Sequence, residues 1–263
     1  MLCFPPRTSP TRSTKMAASA FVEGDVMEID DAVIIVTGAG SGIGAATARA
    51  ANTAGAHLVL AGRRQEPIAA VADELRAARP DRSPLAIPTD VTDPSDLEAL
   101  VGRTLDEHGR IDVLINNAGQ GFYSPVADAD LDLYRRILEV NLLAPLAAMQ
   151  KVLPSMRECG RGSIINVSSA VSLRVSPTTG AYASTKAALN QLTAVARAEL
   201  APEGITVSLI HPYLTDSEFN KALLGGEPIL AAAMAPQHSA EYVASSNMDL
   251  IRSGGEVTVL RPA

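Results

Sequence analysis

Residues 33–44 read Val-Ile-Ile-Val-Thr-Gly-Ala-Gly-Ser-Gly-Ile-Gly, an apolar β-branched run that breaks into glycines and passes into Ala45-Ala46-Thr47-Ala48-Arg49. The run predicts a buried strand, the glycines a tight turn, and the alanine-rich stretch a helix. Glycines at such a turn let the backbone approach a ligand closely. The free N–H groups and positive dipole at the helix start then favour a pyrophosphate. Gly38, Ser41, Gly42, Ile43 and Gly44 are therefore the first candidates for cofactor binding, against the plainer reading of a glycine-rich turn with no ligand.

Outward from this turn, strand-like runs alternate with helical ones. Strands are predicted at 33–37, 57–61, 84–88, 111–116, 163–168, 205–210 and 256–260, with helical patterns near 43–54, 65–78, 94–108, 130–157, 180–200 and 239–252. Such alternation implies right-handed crossovers and an α/β, doubly wound, mostly parallel seven-stranded sheet with helices on both faces. Pro145 and Pro154 are expected to bend or divide the long fourth helical segment. No repeat or second domain is evident, so residues 26–263 read as one domain. Residues 1–25, with Pro5, Pro6, Pro10 and no acid before Glu23, read as a disordered or misannotated extension, with an organellar transit peptide as the alternative, rather than a secretory signal.

The net charge of −7 and the lack of a basic stripe argue against nucleic acid as a partner. Apolar residues make up 47% of the 263, enough for a full core. No apolar run reaches the roughly 18 residues of a membrane span. Two cysteines, Cys3 and Cys159, form no disulfide framework, so a reducing, cytoplasmic setting is expected. No metal ligands are assigned.

Chemistry is suggested by Tyr182-Ala183-Ser184-Thr185-Lys186. A phenol with a pKa of about 10 is a poor acid or base near neutrality, and a nearby ammonium pulls that value down. On a helix, residues four apart share a face, so Lys186 falls beside Tyr182. Ser168 and Ser169 lie a short distance upstream.

Taken in order, Thr37-Gly38-Ala39-Gly40-Ser41-Gly42-Ile43-Gly44, Asp90-Val91, Asn116-Asn117-Ala118-Gly119, Asn141, Ile165-Asn166-Val167-Ser168-Ser169 and Tyr182 with Lys186 resemble the single-domain branch of the short-chain dehydrogenase/reductase family. The resemblance runs from about residue 31 to about residue 220. It implies hydride transfer between a nicotinamide and a ketone, aldehyde or secondary alcohol. Tyr182 would be the general acid/base, Lys186 would lower its pKa and hold the nicotinamide ribose, and Ser169 would hydrogen-bond the substrate oxygen. Ser168 points to the other face of its strand. Asn141 would hold a water that links Lys186 to solvent, or else serve only to bend its helix before Pro145.

For the cofactor, the resemblance places Asp90 at the adenine amine with the Val91 backbone beside it. Asn117, Ala118 and Gly119 would lie on the ribose side, and Pro212 and Thr215 near the nicotinamide. The acidic position that would read an NAD ribose is occupied by Gly62, followed by Arg63 and Arg64. Guanidinium groups clamp phosphates, so NADP(H) is the expected cofactor, with Arg63 as main contact, Arg64 as helper and NAD(H) as the alternative. Gln120, Phe122, Tyr123, Leu173, Val175, Tyr213 and Phe219 are expected to flank a mostly apolar substrate, under a lid formed by 221–236. Tyr213 and Ser217 replace the family's usual Gly and Thr. The chain's end lacks the common Asp-Gly-Gly, so a homodimer through the helices near 130–157 and 180–200 is expected and a tetramer is not assumed. A cofactor-binding regulatory or scaffold protein, and a sugar-nucleotide epimerase or dehydratase, are the competing classes.

Overall fold

In the computed structural model, residues 27–216, 219, 223–226 and 237–261 are described. The expectation of a disordered 1–25 therefore lies outside the described residues, as does most of the proposed lid.

Seven strands form one sheet in the order β3-β2-β1-β4-β5-β6-β7, every neighbouring pair parallel. The strands are β1 (Val33–Thr37), β2 (His57–Gly62), β3 (Leu85–Pro88), β4 (Val113–Asn116), β5 (Gly162–Val167), β6 (Ile205–His211) and β7 (Val257–Val259). β1, β4 and β5 are buried along their whole length, as strands covered on both faces must be. Their apolar runs consequently lack the alternation of a half-exposed strand.

The helices divide between the two faces. Helices α1 (Gly42–Thr53) and α2 (Gln65–Ala78), together with α7 (Ala240–Ser253), pack with Ile34, Val36, Leu58 and Leu60 into one core. Helix α3 (Pro94–His108), α5 (Ala144–Cys159) and α6 (Gly180–Leu200) pack with Ile35, Val59, Leu114 and Ile164 into the other. Alternate residues of β1 thus feed opposite cores, as the period of a strand requires. The strand order reverses between β1 and β4, which opens a crevice at their carboxyl ends.

The long fourth helical segment is divided, at a place set by Pro145. Helix α4 (Leu131–Leu138) runs into a π-helical turn, Glu139–Leu143, and then into α5. Pro145 stands in the first turn of α5, where its missing N–H costs nothing, while the helix continues through Pro154. By length and composition the whole stretch Leu131–Cys159 would suffice to cross a membrane, although charged residues interrupt its apolar run. Its apolar face is used on the sheet: Ala144, Ala148, Met149, Val152 and Met156 are buried there.

The π-helical turn carries Asn141, which is fully buried. Its amide oxygen accepts the N–H of Gln120 at 2.9 Å, while its nitrogen donates to the Gln120 carbonyl at 2.8 Å and to the Thr185 hydroxyl at 3.1 Å. One side chain therefore ties the segment after β4 to the first turns of α6. Both backbone groups of Gln120 depend on it, so Asn141→Ala should cost about 2–4 kcal/mol, from the unpaired buried groups it leaves. Urea unfolding would measure this, and a loss well under about 1 kcal/mol would mean that the bracing is not needed.

Candidate active site

The glycine turn follows β1 directly. Gly38 and Gly42 have φ of 66° and 51°, the left-handed region that costs glycine little. A Cβ on Gly44 would collide with the Gly38 carbonyl oxygen and lie 2.6 Å from the Asn117 amide nitrogen. The turn can fold this tightly only without a side chain there. Ser41 takes the cap position of α1 in extended conformation, but its hydroxyl makes no cap hydrogen bond. The first N–H groups of α1 thus have no side-chain cap.

This turn is fastened to β4. The Asn117 side chain donates to the carbonyls of Thr37 (2.9 Å) and Gly38 (3.2 Å). The Thr37 hydroxyl accepts the N–H groups of Asn117 (3.0 Å) and Ala118 (3.1 Å) and donates to the Ile115 carbonyl (3.2 Å). The Asn117 amide is accordingly occupied in bracing the turn, while Asn117, Ala118 and Gly119 still line the cavity beside it.

That cavity, of about 290 Å³, runs from the glycine turn across the switch point to Tyr182 and beyond. It brings together Gly38, Ser41, Gly42, Ile43, Arg64, Ser169, Tyr182, Lys186, Pro212, Tyr213, Thr215 and Phe219, residues separated by up to 181 positions in the chain. Tyr182 lies in the first turn of α6 and Lys186 one turn further along. Pro212 to Thr215 are held over the cavity by pairing with the segment before α7: Thr215 bridges His238, and His238 donates its N–H to the Leu214 carbonyl at 2.8 Å.

Ser169 and Ser168 part ways at the end of β5. Ser168 is buried and hydrogen-bonds Asn190 on α6 at 2.5 Å. Ser169 caps a short 3₁₀ turn, Ala170–Leu173, and its hydroxyl acts on the Tyr182 phenol by hydrogen bonding. Its carbonyl is held by the Ser172 hydroxyl at 2.6 Å and lies 3.2 Å from His211 Nδ1.

The electrostatics differ from the sequence expectation. Burial raises the proton affinity of the phenol well above its ordinary value, the Tyr123 phenol adds to this, and Ser169 offsets part of it. Lys186 is not among the groups that shift the phenol. Its Nζ donates instead to the Val167 carbonyl at 2.9 Å, and burial pushes its own pKa down to about 8. The expected depression of the phenol by Lys186 is therefore corrected: a desolvated ammonium turned toward the end of β5 does not offset the burial of the phenol.

Several residues predicted as contacts do not line this cavity. Asp90 and Val91 do not line this cavity; Asp90 accepts the Thr92 N–H and hydroxyl in its own loop, and Asp93 caps α3. Of the two arginines, Arg64 lines the cavity and Arg63 does not. A side chain on Gly62 would meet the buried Ile68 at 2.9 Å. Gln120 and Phe122 are buried behind the wall, Phe122 packing with Ile137, Val171 and Tyr182. Leu173 and Val175 point to solvent, at 54% and 101% exposure.

In their place stand Val171 and Arg174, which the sequence reading missed. Val171 lies in the 3₁₀ turn and Arg174 follows it as an extended residue; both line the cavity, whereas Leu173 and Val175 do not. The serines at 168, 169 and 172 are the local signal for such a turn.

Of the predicted lid, only 223–226 is described. The Leu224 N–H donates to the Gly121 carbonyl (3.0 Å) and the Tyr123 N–H to the Gly225 carbonyl (3.1 Å), which seats this piece against the loop after β4.

Comparison with known proteins agrees with this architecture. Residues 32–227 match the family model for short chain dehydrogenase. An uncharacterised oxidoreductase of Staphylococcus aureus strain USA300 is 35% identical over 215 residues, covering 82% of this chain and 90% of that protein. A short-chain dehydrogenase/reductase from Burkholderia phymatum, solved with NAD, has a TM-score of 0.82 at 24% identity over 89% of this chain and 90% of that one, a likeness of fold. An alcohol dehydrogenase from the archaeon Thermococcus sibiricus, solved with 5-hydroxy-NADP, has a TM-score of 0.79 at 26% identity, covering 89% and 97%. With one parallel sheet in this strand order, a glycine turn at the switch point and a match over most of the chain, the protein belongs to the short-chain dehydrogenase/reductase family.

Proposed function

We propose that the protein is an NADP(H)-dependent reductase of ketones or aldehydes, running in reverse on secondary alcohols, with Tyr182 as general acid and base. The observation that carries this reading is the convergence of Tyr182, Ser169 and Lys186 on the cavity that begins at the glycine turn.

The cradle fits a dinucleotide. Gly38 and Gly44 admit backbone where a side chain would collide, and the start of α1 presents N–H groups to a pyrophosphate. Arg64, with Arg63 beside it, supports a 2′-phosphate, and the packing of Ile68 against Gly62 supports the absence of an acid there. A nicotinamide held over Tyr182 would supply or accept the hydride.

The chain's own part is proton handling. The Tyr182 phenol is protonated at neutral pH, as an acid for carbonyl reduction must be, although its raised proton affinity makes it a weaker donor that depends on the charge developing on the substrate oxygen. Ser169 donates a hydrogen bond to the substrate oxygen as charge builds there. Lys186 gives up its proton near pH 8 and so returns one to the phenolate that Tyr182 becomes. Its Nζ and the Asn141 amide oxygen both face bare Gly119, where a Cβ would lie 3.6 and 3.2 Å from them. This supports the reading that Asn141 holds a water that links Lys186 to solvent, as well as bracing α6. The apolar wall of Tyr123, Val171 and Phe219 favours a substrate uncharged near its reacting carbon. A cytoplasmic setting, supported by the exposed thiol of Cys159, and a dimer through α4–α6, supported by exposed Leu143 and Val195, belong to the same reading.

The competing classes give different outcomes. Tyr182→Phe should lower kcat/KM for NADPH-dependent ketone reduction by about 10²–10⁴-fold, the usual contribution of a general acid, with cofactor binding retained. A scaffold protein would show binding without turnover in the wild type, and an epimerase would act without net NADPH consumption. Replacing both Arg63 and Arg64 with Ala should raise the KM for NADP by at least about 10-fold, in keeping with the loss of charge-assisted phosphate contacts, and leave that for NAD nearly unchanged; parallel losses would remove the NADP assignment. The Lys186 ammonium is present below pH 8 and lost above it, whereas Tyr182 stays protonated. Log kcat/KM for reduction should therefore be level below about 8 and fall by about one unit per pH unit above it. A profile flat to pH 10 would mean that the lysine's charge is not used.

A further inference from the structure

Three cations, Arg64, Lys186 and Arg174, line the cavity, and no carboxylate does among the described residues. For a chain of net charge −7 this is a local reversal of sign. Arg64 stands at the cofactor end and Lys186 is buried beneath the phenol, and both have a part in the reading above. Arg174 has none. It lines the cavity against Tyr213, outside the glycine turn that would hold the cofactor's phosphates.

Arg174 is held in place. Its Cζ sits 4.8 Å from the centre of the Tyr213 ring, and one guanidinium nitrogen donates to the Tyr213 hydroxyl at 3.2 Å. It makes no ion pair with any described carboxylate. A guanidinium has five N–H donors, so one hydrogen bond leaves the fork able to take a further acceptor. Stacking on the ring and the bond to its hydroxyl fix the direction of the fork without neutralising it. Tyr213, which positions the guanidinium, stands where the family usually has glycine.

We infer that Arg174, positioned by Tyr213, receives a carboxylate on the substrate, which makes the preferred substrate an oxo acid (or the matching hydroxy acid) with an apolar segment between its reacting carbon and its acid group. This rests on the proposed reductase activity and specifies its substrate class. The apolar wall near Tyr182 takes the segment beside the reacting carbon, and the Arg174 fork takes the acid in a paired, two-point contact. Neither Arg174 nor Tyr213 takes part in proton or hydride transfer.

The test uses methyl-ketone acids of five to eight carbons and their methyl esters, with NADPH, on the full-length wild type and on Arg174→Met and Tyr213→Phe. The wild type should prefer one or more acids over their esters in kcat/KM. Arg174→Met should lower kcat/KM for that acid by about 10- to 100-fold, mainly through KM, and change the ester by less than about 3-fold. Tyr213→Phe, which keeps the ring but loses the hydroxyl, should fall between. Calorimetric binding of saturated straight-chain carboxylates of the same lengths gives a second readout, and binding should weaken in Arg174→Met. Equal losses on acid and ester, a wild type indifferent to the acid group, or carboxylates bound equally by wild type and Arg174→Met would each overturn the inference. Turnover of esters that vanishes in Tyr182→Phe leaves the reductase reading intact whatever Arg174 does. If no member of the panel is reduced, that reading fails, and calorimetry alone decides Arg174.

Discussion

The crevice at the switch point exists because β1 and β4 send their chains to opposite faces of the sheet, and it is kept from splaying by two polar side chains. Thr37 and Asn117 each satisfy several backbone groups that the diverging strands would otherwise leave unpaired in a half-buried place. Remove that stitching and the glycine turn loses its floor. The position of the start of α1 relative to Tyr182 would then be undefined. Asn141 repeats the device one layer away, where the loop after β4 meets α6. Catalytic geometry in this protein is thus set by two side-chain amides and a hydroxyl more than by apolar packing, which is non-directional.

Burial has a cost that the site uses. Taking a phenol and an amine out of water raises the proton affinity of one and lowers that of the other, so the neutral forms of both come closer to reach. A protonated phenol and an amine titrating near 8 form a donor and its replenisher with small charge separation between them. The hydroxyl of Ser169 is the polar exception in an otherwise aromatic surround, where Tyr123 and Phe219 lie 6.0 and 5.5 Å from the Tyr182 ring.

What could be read from the sequence was whatever depends on local spacing. The order of strands and helices, the glycine turn, and the pairing of Tyr182 with Lys186 on one helix face all follow from periods of two and 3.6 residues. Features that depend on a third dimension were not readable. Val171, on the 3₁₀ turn, and Arg174, the extended residue that follows it, line the cavity, whereas Leu173 and Val175 face solvent. Asn117 looked like a ligand contact, yet its amide is committed to carbonyls some 80 positions earlier. The influence of Lys186 on the phenol could not be judged either, since it turns on where Nζ points and how deeply it is buried. Hydropathy along 131–159 says nothing of whether the apolar side meets lipid or a sheet.

The contact between position 62 and Ile68 has an evolutionary side. An acid substituted at Gly62 alone would arrive in a space already filled by a rigid, β-branched neighbour on the first turn of α2. The substitution would be selected against as a packing defect before its effect on ligand choice could be expressed. Ancestors and descendants of this chain that differ in dinucleotide preference should therefore differ at 68 as well as at 62, with the smaller residue at 68 acquired first.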